Sequence, residues 1–276
     1  MRSIVARHPM VTFFVLAYGL SWFGWPLAMA FGWPLPFFAG GPLVAALIVV
    51  GATSGWTGLR AWASRIIRCR VGWRWYAAAL GLPLAVLLVT VALNVAFGAP
   101  APSSAQLGSV SGLALIFAVR LVDPNDGPLG EEPGWRGFAL PGLQAGRSPL
   151  IATLLLGLLV AGWHLPLAFV GGMQPLDFLG PVAFAFVSTW LFNHTGGSAF
   201  MTLVMHAAEG TIHPGMLWSL QSGAAQAQAL YPLVWCAIAL GVVLFDWGSW
   251  RSIRPSAPVS VRFDTLSEVP AVSPTH

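Results

Sequence analysis

The residues best suited to chemistry lie in the short stretch 130–137. Its adjacent carboxylates, Glu131 and Glu132, precede Arg136, and the i,i+4 spacing puts Glu132 and Arg136 on one helical face. Two neighbouring carboxylates in a low-dielectric setting cannot both ionise cheaply without a cation. Arg136 is therefore predicted to neutralise and orient Glu132, while Glu131, about 100° around the helix, remains free to act as a base on water. A purely structural ion pair is the alternative.

Two histidines lie deep in later apolar stretches. Glu131 is 16 residues before Arg147 and His164 is 17 residues after it, so an antiparallel hairpin turning at 146–148 brings both to similar depth. His206 lies within another apolar stretch, three residues before Glu209. A carboxylate with two histidines is a known zinc environment, and the same groups support acid–base chemistry on water. The residues alone predict a buried hydrolytic or metal site.

The elements that position these groups are predicted to be membrane-spanning helices. Hydrophobic residues make up 57% of the 276 residues and charged residues only 8%, against about 25% charged in a soluble domain. A helix that spans a bilayer needs about 20 largely apolar residues. The predicted spans are 9–31, 35–52, 75–97, 149–170, 176–192, 196–213 and 230–247, together with an irregular one over 111–145 that the breaker-rich residues 123–128 interrupt. The predicted fold is an all-α, polytopic transmembrane helical bundle of about eight spans.

The basic residues predict the orientation of the bundle. All thirteen are Arg, and they concentrate in segments 60–74, around 147 and after 251, whereas the loops near 99–106, 171–177 and 219–228 have none. By the positive-inside rule both termini are cytoplasmic. The net charge of +4 is then a topology signal, and no nucleic-acid partner is predicted. Segment 56–75 alternates Arg with Trp, Ile and Leu, which predicts an amphipathic helix on the membrane surface.

Four regions follow from these patterns. Residues 1–110 are predicted to form N-terminal transmembrane helices with a cytoplasmic amphipathic loop, and 111–216 to hold the candidate site. Residues 217–250 form the last transmembrane helix, and 251–276 a disordered cytoplasmic tail. Cys69 and Cys236 form no CxxC pair and are interpreted as unpaired packing residues. His194 and His213, near span ends, are interpreted as satisfied interior or interfacial residues.

Residues 131–141 resemble the EExxxR motif of the CPBP (CAAX protease and bacteriocin-processing, or Abi) family of intramembrane proteases. Residues 163–166 are similar to the second motif of that family, and 196–198 leading to 206–208 to its last. The resemblance covers about 111–213 and implies a CPBP-like catalytic core over 111–216. It implies an activity like that of the type II CAAX prenyl endopeptidases, with a peptide or protein substrate within or at the lipid bilayer.

The resemblance also implies roles for the site residues. Glu131 would activate water with help from His164, and His206 would bind a metal or stabilise the oxyanion. Glu132, Arg136 and Glu209 would support them. A metalloprotease of this kind would hold a divalent metal, expected to be zinc, through Glu131, His164 and His206.

Two departures from the family pattern keep alternatives open. Val160 stands where the second motif usually has Phe, which changes packing only. Gly210 stands where the last motif normally places Asn or Asp, and Glu209 or Thr211 could substitute for it. The alternatives are a catalytically impaired scaffold or immunity-type membrane protein of the same fold and, ranked third, a transporter with an intramembrane ion relay.

Arg usage without Lys, together with many Ala, Gly and Pro residues, indicates a GC-rich bacterial genome. The predicted location is therefore a bacterial plasma membrane, as a multi-pass protein. This argues against prenylated CAAX proteins as the native substrates.

Overall fold

The computed structural model describes residues 2–32, 37–169, 172–218 and 223–252, and this part of the chain is helical with no strand. The predicted tail falls almost entirely on 253–276, outside the described residues. The helices are α1 (Arg2–Arg7), α2 (Pro9–Trp22), α3 (Trp25–Phe31), α4 (Gly41–Ile66), α5 (Trp73–Ala96), α6 (Ser104–Leu107), α7 (Val110–Val122), α8 (Pro128–Gly134), α9 (Leu140–Gln144), α10 (Pro149–Trp163), α11 (Leu165–Phe169), α12 (Leu179–His194), α13 (Ala199–Thr211), α14 (Ala224–Phe245) and α15 (Trp247–Arg251). A π-helical turn joins α8 to α9, and 3-10 turns lie at Pro175–Phe178 and Pro214–Met216.

The bundle is an all-α, polytopic membrane fold, as predicted. Within the described ranges, six helical stretches are long and apolar enough to cross a membrane: Gly41–Ile66, Trp73–Ala96, Ser104–Val122, Pro149–Phe169, Pro175–His194 and Ala224–Phe245. The two remaining predicted spans correspond to shorter helices. The first, 9–31, is divided into α2 and α3, and the helix that carries His206, α13, has 13 residues. The count of eight spans and the cytoplasmic termini stay predictions.

Helix α4 is interrupted by one residue with non-helical backbone angles. Gly55 has φ 58° and ψ −152°, a conformation that only glycine adopts without strain. The helix continues to Ile66, and residues 67–72 are not helical. Within the predicted amphipathic helix over 56–75, residues 67–72 are therefore not helical, and its position on the membrane surface stays a prediction. Cys69, in this non-helical segment, is exposed and so is not the packing residue that was expected.

The irregular fourth span is broken where the sequence predicted it. Helix α7 ends at Val122 and α8 begins at Pro128. Gly127 between them has φ 105°, and the π-helical turn Trp135–Ala139 follows α8. Irregular backbone at membrane depth needs polar partners. Helix α4 supplies two: Trp62 Nε1 donates to the Pro133 carbonyl at 2.9 Å, and Arg65 Nη1 donates to the Gly137 carbonyl at 3.0 Å.

An aromatic cluster packs the core behind these irregular turns. Trp135 and Trp163 are fully buried, with ring centroids 5.6 Å apart in an edge-to-face arrangement. Phe13 of α2 packs edge-on against Trp135 at 5.5 Å. Such aromatic pairs contribute about 0.5–1.5 kcal/mol beyond the area they bury. The cluster thereby holds the chain neighbours of the two tryptophans, Arg136 and His164, at fixed positions.

Candidate functional site

Five of the six residues predicted for the site line one cavity. It has a volume of about 280 Å³. These residues come from three different helical segments. They are two carboxylates, two histidines and one arginine, namely Glu131, Glu209, His164, His206 and Arg136. The hairpin predicted around Arg147 therefore does bring Glu131 and His164 to a common space. The roles of these residues stay predictions.

Glu132 lies behind the cavity wall and connects two of the lining side chains. Its Oε1 accepts a hydrogen bond from Arg136 Nη1 at 2.8 Å and lies 3.0 Å from His206 Nδ1. The ion pair with Arg136 that the spacing predicted is present, and both side chains are almost fully buried. Because a carboxylate only accepts, Nδ1 of His206 is the donor in this pair. The remaining ring nitrogen, Nε2, is left for the cavity.

His164 is held in a similar way by the backbone. It follows the last residue of α10, and its Nδ1 donates to the Val160 carbonyl at 2.8 Å. This bond fixes the tautomer with an unprotonated Nε2 when the ring is neutral. His164 and His206 thus both use Nδ1 for orientation and have Nε2 available for a ligand or substrate.

Glu131 is the free carboxylate of the cavity. Glu131 is 7% exposed, and its side chain makes no hydrogen bond or ion pair with the described residues. Its Oε1 and His206 Nε2 both lie beside Gly127, since a Cβ built there would be 3.4 Å and 3.9 Å from them. The breaker loop therefore leaves open the space that these two polar atoms share.

The cavity continues past Glu209 toward residues that sequence reasoning did not select. Tyr231 of α14 donates its hydroxyl hydrogen to Glu209 Oε1 at 2.9 Å, and the His213 ring packs edge-on against Tyr231 at 4.9 Å. Asp177 lines the same wall and accepts from Gln228 Nε2 at 2.7 Å. His213, which was interpreted as a satisfied interior or interfacial residue, lines the cavity. The sequence signal that could have indicated these residues is the presence of polar side chains near the start of the predicted span 230–247.

His194 lies outside this cavity, as interpreted. Its Nδ1 donates to the Trp190 carbonyl at 2.9 Å, and its Nε2 lies 3.0 Å from Asp246 Oδ2. Both ring nitrogens are engaged, so this histidine is a satisfied residue that joins the ends of α12 and α14.

Gly210, the departure from the family pattern, lies against an arginine. A Cβ at Gly210 would overlap the guanidinium group of Arg120. Arg120 comes from α7 and pairs with Asp126 Oδ1 at 3.3 Å, in the breaker loop that precedes Glu131. The volume that an Asn or Asp side chain would take is thus filled, and neither Glu209 nor Thr211 occupies it. Thr211 bonds instead to the Ala207 carbonyl.

The predicted metal ligands share the cavity but do not form a metal cluster as placed. Among the described residues, no three His, Cys, Asp or Glu side chains lie close enough together to hold one ion. The geometry of Glu131, His164 and His206 therefore does not fit a three-ligand zinc site. The zinc requirement stays a prediction.

Comparison with known proteins identifies the same part of the chain. Residues 114–212 match the family model of the Type II CAAX prenyl endopeptidase Rce1-like proteins. A stretch of 138 residues is 25% identical to CAAX prenyl protease 2 of Methanococcus maripaludis and covers 44% of this chain and 49% of that relative. The chain thus spans about half the length of the curated relative it matches. Glu131, His164 and His206 all lie within the range of the family match.

Proposed function

We propose that this chain, a member of the CPBP family of CAAX-protease-type intramembrane endopeptidases, hydrolyses peptide bonds with a water molecule that Glu131 activates. The observation that carries the proposal is the arrangement of the cavity. A buried carboxylate without a protein partner shares the wall with two histidines whose Nδ1 atoms are already engaged. Perturbed or unpaired polar groups of this kind in a cavity are the usual mark of a reaction site.

In the proposed mechanism, Glu131 removes one proton from water while the water oxygen bonds to the scissile carbonyl carbon. His164 accepts a hydrogen bond from the water through Nε2 and so orients it. The carbonyl oxygen becomes an oxyanion, which the protonated His206 stabilises by donating from Nε2. Glu132 balances the charge of that imidazolium. Glu131 then delivers its proton to the departing amide nitrogen, the C–N bond breaks, and a carboxylic acid and an amine result.

The test is peptide cleavage by purified protein in detergent or nanodiscs, with a broad peptide library because the substrate is not known. Glu131→Gln keeps the size of the side chain but removes the base, and His164→Ala removes the orienting ring. General acid–base groups contribute about 10²–10⁴-fold to the rate, so both variants are expected to lose cleavage by this order. His194→Ala is the matched control, because this histidine is bonded on both nitrogens outside the cavity.

Two results would overturn the proposal. Equal cleavage by wild type and Glu131→Gln would indicate a contaminating protease. Stoichiometric zinc in the wild type that is lost in His164→Ala and His206→Ala would replace the water-only mechanism by a metal-dependent one. Metal content is therefore measured on the same samples.

One observation favours a second candidate, a catalytically impaired membrane scaffold or immunity-type protein. The family position for an Asn or Asp side chain is Gly210 here, and Arg120 fills the adjacent space. Loss of one oxyanion donor costs about 10²–10³-fold in rate. A scaffold would keep its cellular function in Glu131→Gln, whereas the endopeptidase would not.

A further inference from the structure

The cavity lining contains a buried part and an exposed part. At its inner end lies the buried Arg136, whose neighbour Gly137 accepts a hydrogen bond from Arg65 in the Arg-rich segment 60–74. At its other end the lining reaches Gly172 and Gln228, and both are exposed. The cavity therefore opens to the surface at the end of the bundle away from the Arg-rich segment.

Side-chain contacts assign the connecting loops to the two ends. At one end, Ser198 Oγ, before α13, donates to the Arg68 carbonyl at 2.6 Å. Helix α5 connects this end of the bundle to the far end, because its 24 residues rise about 36 Å in an α-helix. At the far end, Asn94 Nδ2 donates to the Gly223 carbonyl at 3.3 Å and Trp218 Nε1 donates to the Pro100 carbonyl at 2.8 Å. Gln228, five residues after Gly223, belongs to this far end.

The two ends of the bundle differ in their content of basic residues. The end with segment 60–74 carries Arg60, Arg65, Arg68, Arg70 and Arg74. At the far end, the described loop residues 97–109, 172–178, 212–218 and 223–228 contain no Arg or Lys. Cytoplasmic loops carry the excess of basic residues in membrane proteins. This distribution puts the Arg-rich end in the cytoplasm and the open end of the cavity on the opposite side of the membrane.

We infer that the cavity takes its substrate from the extracytoplasmic side, as an unprenylated peptide segment of a membrane or exported protein. The identity of the substrate as a peptide rests on the proposed function. The side from which it enters rests only on the contacts and charges described above. A prenylated C-terminus in the cytoplasm would meet the closed end of the cavity, where Glu132, Arg136 and the aromatic cluster are packed. A chain segment on the outer face meets the exposed end at Gly172 and Gln228.

Cysteine accessibility tests the direction without any need for cleavage. The chain supplies its own reference, because Cys69 is exposed in the Arg-rich segment. One variant keeps Cys69 and carries Cys236→Ala; the other carries Cys69→Ala, Cys236→Ala and Gln228→Cys. Intact cells that produce either variant are treated with a membrane-impermeant maleimide, before and after permeabilisation. We expect labelling of the Gln228→Cys variant in intact cells and labelling of Cys69 only after permeabilisation.

The reverse pattern, or labelling of both positions in cells that retain a cytoplasmic marker protein, would overturn the inference. A second measurement connects the open end with the proposed reaction. In the Gln228→Cys variant, maleimide labelling should abolish whatever cleavage that variant shows, since the label blocks the entrance. In a matched Ser104→Cys variant, exposed at the same end but outside the cavity lining, the label should leave cleavage unchanged. Absence of cleavage in the wild type would count against the proposed function, while the labelling pattern would still decide the direction.

Discussion

The Nδ1 atom of His206 lies 3.0 Å from Oε1 of Glu132, and this contact joins the last motif of the chain to the first. The two residues are 74 positions apart in sequence and come from α13 and α8. The same carboxylate oxygen accepts from Arg136. One buried oxygen thus sets the direction of two cavity-lining side chains.

Glu132→Gln is expected to lower kcat with little change in KM. The amide keeps one oxygen that can accept from His206 Nδ1 and from Arg136, but it has no charge to balance a protonated His206 or the buried guanidinium. Residues that orient a ligating or catalytic histidine in this way typically contribute about 10- to 100-fold. The measurement is steady-state cleavage together with thermal unfolding.

Asp246→Asn is the matched control for this change, because His194 and Asp246 form a similar pair at 3.0 Å outside the cavity. A kcat for Glu132→Gln equal to that of Asp246→Asn would contradict an orienting role for Glu132.

The open end of the cavity is expected to favour basic peptides. Asp177 and Glu209 line it, and the one lining arginine, Arg136, is paired with Glu132. Asp177→Asn should raise KM for an Arg-containing peptide by about two- to fivefold, which corresponds to a solvent-exposed ion pair. A peptide with Gln in place of Arg should be affected less. The comparison is repeated at high salt, where the difference should shrink; equal KM changes for both peptides would refute the charge preference.

Gly210→Ala is expected to destabilise the protein. The added methyl group displaces the flexible guanidinium end of Arg120, which weakens the partly exposed ion pair of Arg120 with Asp126, and a pair of this kind contributes about 0–1 kcal/mol. Thermal unfolding in detergent measures the effect. Arg120→Ala combined with Gly210→Ala should recover part of the loss, because the collision is removed.

Gly241→Ala in α14 is the matched control for Gly210→Ala, since nothing lies within 4 Å of a Cβ there. Equal unfolding temperatures for the two glycine variants would show that Arg120 moves away without cost.

Trp62→Phe should destabilise the π-helical turn region. The change leaves the buried Pro133 carbonyl without its donor at 2.9 Å, and an unsatisfied buried polar group costs about 1–3 kcal/mol. Trp56→Phe, on the same helix but 69% exposed, should have almost no effect. Loss of stability of the same size in both variants would argue against the hydrogen bond as the cause.

Hydropathy and residue spacing predicted much of the fold and of the site composition. The long apolar stretches become helices because lipid leaves no other way to satisfy the backbone, and the i,i+4 spacing of Glu132 and Arg136 produced the expected ion pair. The break before Glu131 was visible because residues 123–128 are rich in helix breakers. These features depend on local sequence alone.

The features that the sequence did not reveal depend on contacts between distant segments. The π-helical turn leaves the hydropathy pattern of its segment unchanged, and its partners Trp62 and Arg65 come from α4. Tyr231 and Asp177 reach the cavity because α14 packs against α12 and against the 3-10 turn Pro175–Phe178. Residues 67–72 of the predicted amphipathic helix are not helical, because alternation of Arg with apolar residues fits an extended segment as well as a helix.

The contact between Arg120 and Gly210 also couples the helix that carries His206 to the loop in front of Glu131. A side chain at position 210 would meet the guanidinium end of Arg120, and Arg120 would give way by moving relative to Asp126, its ion-pair partner in that loop. A substitution at position 210 is therefore expected to change the loop that leads into Glu131 as well as its own helix.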